Sequence, residues 1–428
     1  MLDIRRIRQN PEEVRQALLK RMDEVDFSDL LSWDEQRRKL LTETETLKAH
    51  RNKISEEIGR LRRQGQPAED MIGQMQSVAA NIKALDDQVA EVEARIQEFL
   101  DSLPNIPDDD VPPGGKENNI KLREWGRKPD FDFEPKDHVE LVTRLNLVDY
   151  ERGVKMGGHG FWLYRGAGAR LEWGLLNYFI QTHLEDGYEF VLPPHILTYE
   201  CGYTAGQFPK FEDDVFLLTQ RESKAYRQFL LPTAETALIN FHRDEVLAEE
   251  ELPRKYFAYT PCYRREAGSY RASERGMIRG HQFNKVEIFQ FTRPEDSDQA
   301  LEQMIAKAER LMQGLGLHYQ VSQLAARDCS ASMAKTFDIE VWIPSMREYK
   351  EVSSASNARD FQARRGMIRF KRAESNKNEY LHTLNASGLA TSRLLPAMVE
   401  QFQQADGSVI VPEVLRAWVG LDILEPTS

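Results

Sequence analysis

Met71, Met75, Val78, Ile82, Leu85, Val89, Val92 and Ile96 step along the chain by fours and threes, with polar residues between them. Such alternation keeps one apolar stripe of a helix turned to one partner, the seam of a coiled coil. An earlier run carries Trp33, Leu40, Leu47, Ile54 and Leu61 in a repeat of seven, and Gln64-Gly65-Gln66-Pro67 breaks the helix between the two runs. Two helices joined by so tight a turn can only pack antiparallel. The pattern predicts a two-helix arm over about residues 31–100, each helix roughly 45 Å long. Ahead of it, Asn10-Pro11-Glu12-Glu13 opens a short helix, with a capping residue, proline at the first helical position and acids in the first turn.

Beyond the arm the periodicity changes. Leu103-Pro104-Asn105-Ile106-Pro107 and the DDDVPPGG that follows predict a linker over 104–124, between an N-terminal domain of residues 1–103 and a second domain over 125–428. A helix from near Ala169 to Asp186 leads to a short apolar strand stopped at Pro193-Pro194. Leu231-Pro232-Thr233-Ala234-Glu235 ends a strand and opens a helix, where Thr233 and Glu235 read most simply as capping residues. From Tyr259 to Phe291, two aromatic-rich ends alternate as antiparallel strands around a loop with three glycines, Ser269, Ser273 and five arginines. A helix from about Glu295 to Leu315 and strands at His318 to Gln323, from Asp338 and from Glu348 follow. Last comes a strand (LHTL), the small residues Asn385, Ala386, Ser387 and Gly388, and a helix with Arg393 in its first turns. Small residues there let a ligand or a neighbouring strand approach closely.

Charge sharpens both halves. The stretch Leu31 to Gln64 has nine Lys/Arg against six Asp/Glu, and Gly65 to Leu103 has two against eight, so one helix of the arm is basic and the other acidic. Some of these charges are cross-seam partners. The basic side, with Arg37, Arg38, Lys48, Arg51, Lys53 and Arg60, also suits a phosphate backbone, and a partner protein is the other reading of the arm. With a net charge of -12, nucleic-acid binding must use such local patches rather than an overall field. In the hairpin, Arg264, Arg265, Arg271, Arg275 and Arg279 would repel one another unless an anion sits among them, or unless the hairpin is a solvated surface element. Arg264 and Glu266, two apart on a strand, share a face, as do Phe283 and Glu287 on the return strand. That face suits an anionic, ring-bearing ligand with an amine. Glu351 with Ser354 can hold a hard cation through oxygen, although most such pairs hold nothing. Cys201, Cys262 and Cys329 lie far apart without a CxxC, which argues against zinc and disulfides and fits a reducing compartment. The N-terminus lacks the apolar core of a signal peptide and no run approaches a membrane span, so the chain reads as cytosolic and without a membrane partner.

The helix–strand–proline at Pro194, the strand–arginine loop–strand around Arg264 and the strand–small residues–helix with Arg393 together resemble the three signature motifs of class II aminoacyl-tRNA synthetases. More narrowly the chain is similar to bacterial-type seryl-tRNA synthetases, through PTAET at Pro232, YRREAGSYRASERGMIRGHQFNKVE at Tyr263, KTFDIEVWIP at Lys335, EVSSASNARDFQARR at Glu351 and HTLNASGLATSRLL at His382. The resemblance extends to the MLDIRRIR start, the arm and GQFPKFEDD at Gly206. It implies an α+β fold: a long antiparallel two-helix coiled-coil arm that grips tRNA, and a class II catalytic domain built on an antiparallel sheet flanked by helices. It also implies a homodimer that activates L-serine with ATP and transfers the seryl group to tRNA-Ser, the selenocysteine tRNA staying open as a further acceptor.

Carried over by position, Arg264 would hold the α-phosphate, Glu266 would read the adenine, Phe283 would stack on it, and Arg279 and Arg393 would hold the far phosphates. Glu351 and Ser354 would ligate Mg²⁺. Thr233 and Glu287 would bind the serine ammonium beside Glu235, and Asn385 and Ser387 would lie near its hydroxyl. Arg271 and Arg275 would meet the tRNA acceptor end, and Arg265, bulkier than the serine common there, would alter that contact. Arg327, Ala386 and Ser392 depart from the commonest family text, which bears on serine affinity rather than on the class of reaction. A specialised homologue is the alternative enzyme. A non-catalytic RNA-binding relative would have lost the phosphate-binding arginines, which are all present.

Overall fold

A computed structural model describes residues 1–218, 227–266 and 276–426. It divides into two compact units, residues 2–104 and, with Met1, the chain from Asn105 onward. The first unit opens with α1 (Ile4–Gln9) and α2 (Pro11–Leu18), the latter with Pro11 in its first turn. Then come α3 (Ser28–Arg63) and α4 (Glu69–Ser102). With 36 residues, α3 is about 54 Å long. Gly65, at φ 69°, supplies the left-handed turn that ends it. The seam of α4 buries Ile82, Val89, Val92 and Ile96, as its four-three pattern predicts. In α3 the repeat of seven covers only half the seam: Thr44 and Ile58 are buried between its members, while Leu47 is only half-buried. Thr44 is polar, and that hid the alternation.

The second unit is built on an eight-stranded sheet. Its strands are β1 (Ile120–Trp125), β2 (Glu189–Phe190), β3 (Arg254–Tyr263), β4 (Gln282–Thr292), β5 (Tyr319–Gln323), β6 (Lys335–Ile343), β7 (Glu348–Arg359) and β8 (His382–Ala390), in the order β1-β5-β6-β7-β8-β4-β3-β2. All neighbours are antiparallel except β2 on β3. Three helices, α5 (Gly166–Glu185), α6 (Ser297–Leu315) and α7 (Thr391–Gln401), bury Leu175, Phe179, Met304, Leu311, Leu394 and Leu395 in one core with Val286 and Ile288 of β4. Phe289 and Phe291, on the other parity of the same strand, belong to a second core with Leu238, Ile368 and Phe370. The even positions of β4 therefore face the helices. The odd ones, Phe283, Lys285 and Glu287 among them, face away from them.

Residues 105–124 are not free linker. Asn105 donates from its side chain to the carbonyls of Ser332 (2.9 Å) and Ala358 (2.8 Å), and Asp108 pairs with Arg359 at 2.5 Å. Ile120 to Trp125 adds the edge strand β1. Prolines here prevent an α-helix, leaving only a 3₁₀ turn at Lys116–Asn118, and polar side chains tie the segment to the sheet.

Candidate active site

On the face of the sheet away from the three helices lies a cavity of about 460 Å³, whose lining includes Thr233, Glu235, Arg264, Glu287, Asn385 and Ser387. Strand parity delivers Glu287 from β4 and Asn385 and Ser387 from β8, and a short helix, Glu235–Leu238, starts at its wall. Glu287 accepts from Asn385 Nδ2 at 2.9 Å through Oε1 and pairs with Lys285 Nζ at 2.8 Å through Oε2. Lys285 also donates to Thr233 Oγ1 at 2.7 Å. Glu235 accepts from Gln362 Nε2 at 2.7 Å. Its burial, and then the charge of Glu287, push its carboxyl up to about 7, against the hydrogen bond from Gln362 and the charges of Lys285 and Arg264. Asn385 Oδ1 is buried without a hydrogen-bond partner among the described residues. Two acids, a lysine and an orphaned amide oxygen form a pocket for a small ligand that carries a cation and further hydrogen-bonding groups.

A basic rim borders this pocket. The Arg264 guanidinium lies 5.1 Å from the Phe283 ring centroid and donates through Nε to Pro232 O at 3.2 Å, with no ion-pair partner among the described residues. Arg279 pairs with Glu266 at 2.5 Å, and Arg393 donates to the Glu351 carbonyl at 2.9 Å and pairs with its carboxylate at 3.3 Å. Arg279, Phe283, Arg393, Glu266 and Glu351 all line a smaller adjoining hollow. A further cavity of about 470 Å³ holds Glu351, Ser354, Asp338 and Arg393. Asp338 is buried there with Oδ1 unpartnered among the described residues, and burial and the neighbouring charge of Glu351 hold its carboxyl well above the usual carboxylate range. A polyanion fits this rim, because it can take over the guanidinium contacts that Glu266 and Glu351 now make.

Residues 216–402 match the family described as tRNA synthetase class II core domain (G, H, P, S and T), and residues 1–107 match the seryl-tRNA synthetase N-terminal domain. The chain is 63% identical over 425 residues to serine-tRNA ligase 2 of Clostridium acetobutylicum, an alignment that covers 99% of this chain and all of that protein. It belongs to the seryl-tRNA synthetase family. It is also 45% identical over 428 residues to the serine-tRNA ligase of Thermodesulfovibrio yellowstonii, across 99% of this chain and all of the relative. Among solved structures, the seryl-tRNA synthetase of Pyrococcus horikoshii complexed with ATP superposes with a TM-score of 0.91 at 34% identity, over the full length of both chains.

In the synthetase the second and third signature elements meet at the site, though not always for the reason their sequences suggest. β3 ends at Tyr263, so Arg264 and Glu266 lie beyond the strand and do not share a face by strand parity. Glu266 sits at φ 50° and reaches the site through its pair with Arg279. The small residues 385–388 continue β8 instead of closing it: 385–387 pair with β4, and Asn385 and Ala386 also with β7. Arg271 and Arg275 lie outside the described residues. Of the basic arm residues, Arg37 and Arg38 both pair with the buried Asp34, Lys48 with Asp86 across the seam, and Arg60 with Glu57. Arg51 and Lys53 make no ion pair among the described residues.

Two further residues of the structure carry no role in the motifs above. Lys285, buried in the pocket wall, sits one strand position of the same parity from Glu287, and that spacing was a usable signal. Glu172 is a carboxylate within the apolar stripe Leu171, Leu175, Leu176 and Phe179 of α5, and a buried acid at such a position asks for partners. The Arg327 backbone donates to Gly114 O, and Ala386 is buried in β8 against β4 and β7, so neither departure breaks the fold around it.

Proposed function

We propose that this chain activates L-serine with ATP to form seryl-adenylate and pyrophosphate, and then transfers the seryl group to the 3′ end of tRNA-Ser. The observation that carries this reading is the junction of the acid-lined pocket of Glu235, Glu287 and Asn385 with the arginine rim of Arg264, Arg279 and Arg393. The serine ammonium would replace Lys285 beside Glu287 and Thr233. Asn385 Oδ1 and Ser387 would meet its hydroxyl, so that alanine would leave buried polar groups unpaired. The serine carboxylate would then face the α-phosphorus next to Arg264.

Joining two anions requires charge neutralisation and alignment more than a protein base. Arg264, the guanidinium of the rim with no carboxylate partner among the described residues, fits the phosphate where charge develops. Phe283 would stack on the adenine beside Glu266, while Arg279 and Arg393 would exchange their carboxylate partners for phosphate oxygens. In the second half-reaction the terminal ribose hydroxyl of the tRNA attacks the seryl carbonyl and AMP leaves.

The donors near the rim fit a magnesium ion: Glu351, Ser354 and the unpartnered oxygen of Asp338 are all hard oxygen ligands. No cluster of three or more His, Cys, Asp or Glu side chains suited to a metal occurs among the described residues. Such a site suits an ion that shares its ligands with phosphates and water. When bound, Mg²⁺ would neutralise phosphate charge, with Glu351 and Ser354 as its protein ligands. We also assign the synthetase to the cytoplasm, as a homodimer with the basic arm on tRNA-Ser. The three free cysteines suit that compartment, and no helix among the described residues is long and apolar enough to cross a membrane.

The test is amino-acid-dependent exchange of pyrophosphate into ATP, run with all twenty amino acids on the wild type and on Arg264→Ala. Serine alone should support exchange at its full rate, and the substitution should lower that rate at least a hundredfold, the scale of losing one preorganised charge contact at the reacting group. A stronger response to another amino acid, or near-normal exchange by the variant, overturns the reading.

A further inference from the structure

Behind the sheet, on the side away from the cavity, one carboxylate oxygen joins three structural elements of the site. Glu172 Oε1, on α5, accepts from Asn284 Nδ2 of β4 at 2.7 Å and from Thr391 Oγ1, the first residue of α7, at 2.6 Å. Glu172 and Thr391 are buried, and Thr391 Oγ1 also lies 3.3 Å from Asn284 O. From the other side, Tyr259 OH donates to Asn284 Oδ1 at 3.2 Å, and the Tyr259 ring meets Trp173, the residue after Glu172, edge to face at 5.8 Å. Asn284 is thus held at both ends of its amide.

Its chain neighbour Phe283 turns to the opposite face of β4, and Arg393 follows Thr391 by two residues; Phe283 and Arg393 both line the adjoining hollow. We propose that Glu172 is a positioning residue for the nucleotide: by gripping Asn284 and Thr391 together it fixes the spacing between the Phe283 ring and the Arg393 guanidinium. It touches no substrate itself. The inference rests on the reading of Phe283 and Arg393 as ATP contacts. It distinguishes ATP from serine, because the serine-pocket residues Thr233, Glu235 and Ser387 lie outside the grip, and Lys285, the other chain neighbour of Asn284, is anchored separately by Thr233 and Glu287.

The test uses the full chain, with ATP affinity measured by calorimetry and both KM values taken from pyrophosphate exchange. Glu172→Met keeps the length of the side chain and removes the acceptor. It should weaken ATP binding and raise the KM for ATP about tenfold, with the KM for serine changed less than twofold. Glu172→Gln keeps an oxygen that can accept from both donors and should stay within about threefold of wild type. Thr391→Val should weaken ATP binding by a smaller factor, and the Met and Val changes combined should do no more than Met alone, since they remove one shared interaction.

A wild type that binds ATP but fails to exchange with serine would remove the proposed function while leaving the ATP affinities of the variants to decide the role of Glu172. A fall in thermal midpoint with ATP affinity unchanged, or an equal loss for ATP and serine, overturns the positioning role. If Glu172→Met does not fold, Thr391→Val and Glu172→Gln decide: unchanged ATP affinity in Thr391→Val overturns it, and a loss in Thr391→Val with retention in Glu172→Gln supports it.

Discussion

Glu235 would set the pH response of the proposed serine pocket. Its carboxyl is pushed up to about 7 by burial and by the charge of Glu287, so it is largely neutral at pH 6 and anionic at pH 8. An ammonium ligand binds the anionic form better. The KM for serine should therefore fall as pH rises through 7, by about tenfold between pH 6 and pH 8, since each pH unit below the titration point costs tenfold in the competent form. The KM for ATP should not follow it. In Glu235→Gln the pH dependence between 6 and 8 should flatten at the weak-binding end. An unchanged slope in that variant would assign the titration to another group.

At the scale of elements, α5 acts as a template for the far end of β8. His183 of α5 is fully buried and donates through Nε2 to the Gly388 carbonyl at 3.2 Å, and its burial lowers its pKa to about 4. A Cβ placed on Gly388 would stand 2.2 Å from His183 Nε2, and the register of β8 against β4 shifts between Ser387 and Ala390. Gly388→Ala must expel His183 or shift β8, and Ser387 would move with the strand. The expected result is a loss of about 2–4 kcal/mol in chemical unfolding, in the range of overpacked or disrupted buried contacts, with a rise in the KM for serine larger than that for ATP. A variant as stable as wild type would show that the helix and strand yield without strain.

The same elements explain what the sequence made legible. The arm declared itself because heptad spacing is local, and the arginines did because like charges in one loop demand an explanation. The bulge at Gly388, the cavity contact of Glu266 and the grip of Glu172 depend on which strands become neighbours. β4 lies between β3 and β8, residues some 100 positions farther on, and no local pattern encodes that pairing. Asn105 and Asp108 looked like linker for a related reason: their partners, Ser332, Ala358 and Arg359, are more than 200 residues away in sequence.

For the whole molecule, a net charge of -12 repels a polyanion at long range, so any affinity for tRNA must come from local contacts screened within about 10 Å at ordinary salt. The structure separates the basic residues of the arm by what already holds them. Arg37, Arg38, Lys48 and Arg60 have carboxylate partners, and Arg37 and Arg38 share the buried Asp34. Reversing any of those four would disturb the arm as well as a ligand. Arg51 and Lys53 make no ion pair among the described residues, so Arg51→Glu/Lys53→Glu alters the surface while leaving those pairs in place. The double variant should keep the wild-type pyrophosphate exchange, because the pocket proposed to form the adenylate lies in the other unit. Its KM for tRNA-Ser in charging should rise about tenfold or more, and the dependence of log KM on log salt should become shallower by roughly one for each phosphate that the arm no longer neutralises. Equal loss of exchange and charging would make the two residues part of the folded framework. Charging with an unchanged KM and salt slope would show that this side of the arm does not meet the tRNA backbone, and would leave a partner protein as the reading of the arm.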